Sequence, residues 1–314
     1  MLSTILSFAF LTDWMIATVR MATPLLLAAL GGIISERAGI VNIALEGMML
    51  MGALFGTVGA HYSGNPWVGA LVGTLAGGAT ALILAYMSIN LRSNQVVVAA
   101  ALNLFCLGVT SFFFRVIFKV TTDPKLVPGF GINPVPVLSD IPVIGHILFS
   151  HTAIVYAAFL LVPVVSFALF KTTFGLKLRA VGEHPMAADT VGVNVYKVRY
   201  IATVVGGLFA GLGGVYLSLG QLNMFMDNMV AGRGFIALAA IIFGGWKPFG
   251  ALGATLLFGA ADALQMRFQA LGFQVPYQFM LMLPYILTMA ALAGVITKAT
   301  PPAAEGIPYV KEEG

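Results

Sequence analysis

Apolar residues fall into long runs that are separated by short polar turns along the whole chain. About nine of these runs approach the ~20 residues that a helix needs to cross a bilayer. The run at 231–244 is short for a span, residues 1–12 could lie in the membrane interface, and the expected number of membrane helices is nine or ten. The pattern predicts an all-α bundle with spans at 14–34, 38–60, 66–89, 95–118, 152–170, 199–220, 231–244, 249–268 and 276–297.

The composition agrees with a polytopic membrane protein. Hydrophobic residues make up 59% of the chain and charged residues 9%, whereas a soluble domain carries about 25% charged residues. The net charge of +4 is accounted for by basic residues at the cytoplasmic face, so it implies no nucleic-acid partner. Because helices in lipid pack closely through small residues, we expect close helix contacts at Gly69, Gly73, Gly77, Gly206, Gly207, Gly211 and Gly214.

The longest polar interruption runs from Lys171 to Arg199 and holds five of the sixteen Lys and Arg residues. Lys and Arg near spans are retained on the cytoplasmic side, so we assign this loop to the inside. Counting outwards then puts Ser35 to Arg37, the Arg92 turn, the Lys247 turn and the tail after Thr297 inside. The same count puts outside the N-terminus and the turns at 61–66, 119–151, 221–228 and 267–276.

Inside this polar loop, GEHPMAADTVGV has the pattern of a short helix. Pro185 suits a first helical position, and Gly192 suits the left-handed position after a helix end. About two turns are too few to be stable alone, so something must hold this helix. Physical chemistry leaves two interpretations open, a solvated cytoplasmic loop and a docking element for a partner.

The chain divides around this loop into two halves of one membrane domain, 1–314. The first half is 14–170 with an outer loop at 119–151, the cytoplasmic loop is 171–199, the second half is 200–297, and the tail is 298–314. The outer loop is rich in proline and glycine, which is typical of either an ordered cap or a flexible connection (Pro124, Pro128, Gly129, Gly131, Pro134, Pro136, Pro142).

One short motif, AGxxxIAL, occurs twice, at 38–45 and at 231–238. By the count above, the first copy runs from inside to outside and the second from outside to inside. Two copies of opposite direction are typical of an inverted repeat, in which short or broken helices near the midplane frame a substrate path. The alternative is two unrelated packing faces that are rich in small residues.

Polar residues inside the apolar segments are candidates for the translocation path, because an ionisable group in lipid is costly unless it faces protein or water. Glu46 could line the path, form a joint in a broken helix, or pin two helices through hydrogen bonds. Asp262 favours a structural role, with Arg267 and nearby amides as partners. Trp246 and Tyr277 fit interfacial anchors. The path candidates are Asn42, Glu46, Asn94, Gln95, Asn103 and Asp262.

Enzyme motifs are absent from the sequence. There is no GxxxxGK[ST], HExxH, GxSxG or CxxC, Cys106 is the one cysteine, and the four histidines do not have ligand spacing. We therefore expect no catalytic residue, no metal and no cofactor on this chain, and any nucleotide hydrolysis must come from another polypeptide.

Three stretches together resemble the permease subunits of ABC importers in the simple-sugar and branched-chain amino acid group. They are SERAGIVNIALEGMMLMGA from Ser35, GLKLRAVGEHPMAADTVGVNV from Gly175 and AGRGFIALAAIIFGGWKPFGALGA from Ala231. The resemblance covers Met21 to Ile296, and the nearest branch is that of nucleoside permeases.

The resemblance implies a multi-pass protein of the bacterial plasma membrane, with a second related permease chain, a cytoplasmic ABC ATPase and an extracytoplasmic binding protein. In this family the Gly-Glu-x-Pro-x-x-Ala segment is the coupling helix that sits in a groove of the ATPase. Carried over to this chain, the coupling residues are Gly182, Glu183, His184, Pro185, Ala188, Asp189 and Gly192.

Other functions remain open at this point. Within the importer class, a simple sugar or a branched-chain amino acid is the alternative to a nucleoside. A secondary transporter would also have inverted repeats, but it would need a buried coupling group, for which Glu46 and Asp262 are the acidic candidates. A channel or a structural membrane protein is the third class.

Overall fold

The computed structural model describes residues 8–119, 125–136, 139, 141, 144–270, 282, 286 and 300–311. The predicted span at 276–297, with Tyr277, lies outside the described residues apart from 282 and 286.

Helices make up almost all of the described regular structure, as the apolar pattern predicted. Two π-helical turns, Tyr86–Asn90 and Tyr216–Leu222, prolong the helices that end at Ala85 and Val215. The helices are α1 (Phe8–Glu36), α2 (Leu45–Ser63), α3 (Pro66–Ala85), α4 (Gln95–Phe118), α5 (Ile144–Phe149), α6 (Ala153–Lys171), α7 (Thr173–Glu183), α8 (Pro185–Thr190), α9 (Val195–Val215), α10 (Arg233–Phe243) and α11 (Pro248–Ala270).

Among the described residues, six helices are long and apolar enough to cross a membrane, namely α1, α3, α4, α6, α9 and α11. Helix α2 has 19 residues but carries Glu46 and His61. Helix α10 has 11 residues, which is about 16 Å at 1.5 Å per residue and too short for a ~30 Å bilayer core. The expectation of nine or ten membrane helices goes beyond this count.

Helix boundaries differ from the expected ones at three places. Helix α1 includes residues 8–12, which therefore belong to a long helix and not to a separate interfacial segment. Helix α2 begins at Leu45, because residues 37–44 form the turn after α1. Helix α9 begins at Val195, where the Asn194 side chain accepts a hydrogen bond from the N–H of Lys197. That cap explains why residues 195–199, which include Lys197 and Arg199, are helical.

Helix α9 lies at the centre of the bundle and packs against α1, α2 and α3. Helix α11 packs against α1 on the other side, and α10 lies between α1, α2 and α11. Helices α4 and α6 are peripheral and expose large apolar side chains such as Leu104, Phe112, Leu160 and Phe167. A membrane protein can present such faces to lipid.

The predicted close contacts at glycines are confirmed. A Cβ added to any of the seven predicted glycines would come within 3.0 Å of an atom on a neighbouring helix. At Gly211, for example, it would lie 2.9 Å from the carbonyl oxygen of Gly73 on α3. The backbones of α9 and α3 therefore approach closely because neither has a side chain between them.

Turns that the charge pattern assigned to the same side of the membrane lie at the same end of the bundle. At the inner end, Arg37 donates to the carbonyl oxygen of Trp246 (3.1 Å), and the N–H of Ala304 donates to Gly182 (2.9 Å). At the outer end, Arg267 pairs with Asp13 near the start of α1 (3.3 Å). We use "inner" and "outer" for these two ends.

The described part of the outer loop is an ordered cap on the outer end of α9. The N–H groups of Val127 and Phe130 donate to the carbonyls of Asn223 and Leu219, both at 2.8 Å. The Phe130 ring is buried and meets Trp67 edge-on, with 4.9 Å between centroids. A two-stranded ladder, Asn133–Pro134 with Ser150–His151, closes the loop.

Candidate functional site

Two predicted path residues, Gln95 and Asn103, bind the backbone of the α1–α2 turn and of the first turn of α2. Gln95 is buried, and its Oε1 accepts from the N–H of Val41 (2.8 Å). Asn103 accepts from the N–H of Gly47 (2.8 Å) and donates to the carbonyl of Ile43 (3.0 Å). Helix α4 thus supplies the hydrogen bonds that non-helical backbone needs inside a membrane.

The other two asparagines of this set are also hydrogen-bonded locally. Asn42 is fully buried and its Nδ2 donates to Ser35 Oγ at 3.1 Å. Asn94 is exposed at the inner end of α4, where its Oδ1 accepts from the N–H of Val96 (3.0 Å) and caps the helix.

Glu46 joins the two copies of the AGxxxIAL motif. Its Oε1 accepts from the N–H of Gly232 and its Oε2 accepts from the N–H of Gly234, both at 2.7 Å. These N–H groups belong to the N-cap residue and the first turn of α10, whose positive dipole end favours a carboxylate. Glu46 is therefore the cap of a short helix on the opposite half of the chain.

A second carboxylate and a cation lie near this joint. Arg233, the first residue of α10, donates to the carbonyls of Met229 (3.1 Å) and Val230 (3.2 Å). Its positive charge acts on both Glu46 and Asp262. The prediction that Arg267 is a partner of Asp262 was wrong, because Arg267 lies one turn farther out and pairs with Asp13 instead.

The predicted cytoplasmic helix is present as α8, with Pro185 in its first turn and Gly192 beyond its end at a φ of +83°. A second amphipathic helix, α7, precedes it and was not expected from the sequence. Arg179 of α7 lies over the Phe170 ring, 5.1 Å from its centroid, which fixes α7 against the end of α6.

Seven coupling candidates divide into exposed and buried groups. Glu183, His184 and Gly192 are exposed, Pro185 and Asp189 are half-buried, and Gly182 and Ala188 are buried. The structure adds two exposed apolar side chains that sequence reasoning missed, Met186 (56% exposed) and Val191 (78%). Their signal in the sequence was weak, because single apolar residues in a polar loop have no periodicity.

Buried polar contacts tie the end of α1 to the turn between α10 and α11. Trp246 Nε1 donates to Glu36 Oε2 (2.7 Å), and Arg37 donates to the carbonyl oxygens of Gly245 and Trp246. Trp246 is only 5% exposed, so its expected role as an interfacial anchor was wrong. Its hydrogen-bond partner lies 210 residues away in the chain, which no local pattern could indicate.

These features match a known family. The sequence profile of the branched-chain amino acid transport system permease component matches residues 14–292. The chain belongs to this permease family. No solved structure matches the permease significantly.

Three curated relatives cover most of the permease. It is 46% identical to the guanosine ABC transporter permease protein NupQ of Bacillus subtilis, over 94% of this chain and 95% of that protein. It is 38% identical to the nucleoside ABC transporter permease protein NupC of Lactococcus lactis, over 93% of this chain and 95% of that protein. It is also 45% identical to the putative glucose ABC transporter permease protein TsgC13 of Haloferax volcanii, over 81% of this chain and 77% of that protein.

Proposed function

We propose that this permease is a membrane subunit of an ATP-driven importer of nucleosides in the bacterial plasma membrane. The observation that carries the proposal is the 46% identity to the guanosine permease NupQ along 94% of the chain. The multi-pass helical bundle agrees with such a role, and we propose that ATP hydrolysis takes place on a separate ATPase chain.

We propose that α7 and α8 form the docking element for that ATPase. Helix α8 has six residues, too few to be stable alone, and it presents Met186 and Val191 outward from the inner end. Exposed apolar side chains on a fixed, short helix suit a protein groove better than water. Of the two interpretations left open by the loop, this favours docking.

A second permease chain is proposed to complete the pore. Bacillus subtilis has another guanosine permease protein, NupP, which is 27% identical to this chain, and Lactococcus lactis has NupB, which is 26% identical. In each organism the chain therefore resembles two permeases of the same name. It is more similar to NupQ and NupC than to NupP and NupB. We propose a heterodimer with a NupP-like chain, supplied with ligand by an extracytoplasmic binding protein.

The inverted repeat remains a proposal that the local backbone supports. Gly39 and Gly232 hold the same position in the two AGxxxIAL copies, and both are left-handed, with φ of +87° and +86°. The Ile-Ala-Leu of the second copy lies in α10, whereas in the first copy only the Leu lies in α2. We propose that the two copies are related halves that meet at Glu46.

We propose that the predicted path residues line the translocation path, and they differ in how accessible they are. They are Asn42, Glu46, Asn94, Gln95, Asn103 and Asp262. Glu46, Asn103 and Asp262 are half-buried and Asn94 is exposed, whereas Asn42 and Gln95 are enclosed. We expect cysteines at the half-buried and exposed positions, in a Cys106→Ala background, to react with a water-soluble thiol reagent. These positions are Glu46, Asn94, Asn103 and Asp262. Failure of all of them to react in the assembled transporter would remove the path assignment.

The proposed mechanism is alternating access. Closure of the two ATPases moves α8, and the movement tilts α6 and α9, which flank the α7–α8 unit, so that the central path opens first outside and then inside. Close glycine contacts between α9, α3 and α2 permit such sliding, because no interdigitated side chains must be separated.

A sugar is the second candidate ligand, because the chain is also 45% identical to the putative glucose permease TsgC13. The decisive experiment is uptake of labelled guanosine by cells with and without this chain, challenged with excess unlabelled nucleoside, glucose or leucine. We expect uptake to need the chain and only nucleosides to compete. Loss of glucose or leucine uptake instead would reject the nucleoside assignment.

Energy coupling is tested in the same cells. Uptake that survives collapse of the membrane gradient but not depletion of ATP separates the importer from a secondary transporter. We expect Glu183→Arg, Pro185→Leu and Met186→Glu to abolish uptake while membrane insertion persists. Leu126→Glu, at an apolar site on the outer loop that is more exposed (70%) than Met186 (56%), is the matched control and should transport normally.

A further inference from the structure

The C-terminal tail, residues 300–311, folds back against the inner end of the bundle and binds the end of α7. The N–H of Ala304 donates to the carbonyl of Gly182 (2.9 Å), and the N–H of Ala303 donates to the carboxylate of Glu183 (3.2 Å). Two consecutive residues of the tail are therefore attached to the last two residues of α7.

The same tail also binds the α1–α2 turn. The N–H of Gly306 donates to the carbonyl of Gly39 (3.1 Å). The buried Arg199 bridges both segments, since its Nε donates to Ala38 (3.2 Å) and its Nη1 donates to Ile307 (3.0 Å). This arginine side chain donates to backbone carbonyls of the tail and of the turn, a role that its place in the polar loop did not predict.

The far end of the tail reaches α8 and the start of α9. Tyr309 is 6% exposed, and its ring meets that of Tyr196 at 5.5 Å between centroids. Lys311 Nζ lies 3.8 Å from Asp189 Oδ2 of α8. The exposed ion pair adds little stability, so the buried Tyr309 and the backbone hydrogen bonds hold the tail.

The tail, the α7 end and the α1–α2 turn are also in direct contact at their backbones. A Cβ on Gly182 would overlap the carbonyl of Arg37, and a Cβ on Gly39 would lie 3.0 Å from the carbonyl oxygen of Ala304. Closely packed segments transmit displacement, because their atoms leave no free volume to absorb it.

We infer that the C-terminal tail is a positioning element for transport, which links α7 and α8 to the α1–α2 turn that leads to Glu46. The inference rests on the proposed ATP-driven function. Without the tail, movement of α8 reaches the bundle through the ends of α6 and α9 and through the direct contact of Gly182 with Arg37, which involves no hydrogen bond from the tail. With it, the same movement displaces the turn from which α2 and the Glu46 joint begin.

The test uses the complete transporter, with its ATPase and binding protein, in proteoliposomes supplied with labelled guanosine. Tyr309→Ala removes the buried ring, and Val310→Ala is the matched control, because Val310 is 43% exposed on the same segment. We expect Tyr309→Ala to assemble and hydrolyse ATP, with uptake per ATP reduced by about 5-fold or more. Val310→Ala should behave as the unaltered protein.

Truncation after Pro301 is the second variant and should show the same uncoupling. Uptake per ATP equal to that of the unaltered protein in both variants would overturn the inference, and so would loss of ATPase assembly in both, because the tail would then hold the complex together. If the unaltered complex neither hydrolyses ATP nor takes up guanosine, it is the proposed function that fails.

A tethering experiment distinguishes transmission from a detachable latch. Asp189→Cys and Lys311→Cys, in a Cys106→Ala background, are joined with a short bis-maleimide reagent, because Lys311 Nζ and Asp189 Oδ2 are 3.8 Å apart. Since Asp189 is itself a coupling candidate, uptake is compared with that of the same double variant before the reagent is added. A tail that moves together with α8 leaves uptake unchanged after tethering, and single-cysteine variants treated alike are the controls. Uptake that is abolished only in the tethered double variant would show that the tail must detach, contrary to the inference.

Discussion

The carboxylate of Glu46 lies directly against Gly234, whose N–H is 2.7 Å from Oε2. A Cβ on Gly234 would come within 2.5 Å of Glu46 Cα. The hydrogen bond and the close backbone approach therefore depend on each other. Together they fasten the start of α2 to the start of α10, and two predictions concern this joint.

Glu46→Ala is expected to destabilise the permease, because it leaves the N–H groups of the half-buried Gly232 and the buried Gly234 without their carboxylate acceptors. Each unpaired buried donor costs roughly 1–3 kcal/mol. Glu46→Gln keeps one carbonyl acceptor, so it should lower the free energy of unfolding by about half as much as Glu46→Ala. Thermal unfolding of the purified protein in detergent measures both, and equal melting temperatures for the three proteins would contradict the pairing.

Gly234→Ala is expected to separate α2 from α10, since the new methyl group has no room beside Glu46. Gly108→Ala on α4 is the matched control, because a Cβ there meets nothing within 4 Å. The control should be neutral or stabilising by up to about 1 kcal/mol. Comparable melting temperatures for Gly234→Ala and Gly108→Ala would show that the approach is not tight.

Gly214→Ala tests the contact between α9 and α2. A Cβ at Gly214 would overlap the carbonyl of Met49, whereas one at Gly253 on α11 meets nothing within 4 Å. We expect Gly214→Ala to lower the melting temperature and guanosine uptake together, and Gly253→Ala to change neither. A drop in both variants would indicate a general effect of losing glycine in these helices.

The tail should bind less firmly as pH rises, because of Glu305. Burial raises the pKa of Glu305 from 4.5 to about 7, and the nearby Arg37 opposes that shift. The carboxyl of Glu36 also faces it. A raised pKa means that the docked state holds the proton more tightly, so docking is favoured at low pH and weakens between about 4.5 and about 7.

This pH dependence can be read from a spin label at Val310→Cys in a Cys106→Ala background. The label should become more mobile across that pH range, and Glu305→Gln should remove the change, because a neutral amide does not titrate. An identical pH profile in the Glu305→Gln protein would assign the change to another group.

The local features of this chain could be predicted from its sequence. The apolar runs predicted nine spans, and six of them coincide with described helices that are long and apolar enough to cross a membrane. Pro185 and Gly192 marked the beginning and end of α8. The glycines of α3 and α9 predicted the close packing of those helices. Each of these follows from properties of neighbouring residues, such as hydropathy over a helix length, a missing N–H, or a missing side chain.

Only the tertiary structure decided the partners of the polar residues. Glu46 binds Gly232 and Gly234 from 186 and 188 residues away, and Glu36 binds Trp246 from 210 residues away. The tail crosses from Gly182 to Gly39, although neither is near it in sequence. A polar side chain in lipid must find a hydrogen-bond partner, but several groups can satisfy that need. The helix packing selects which of them lies within reach.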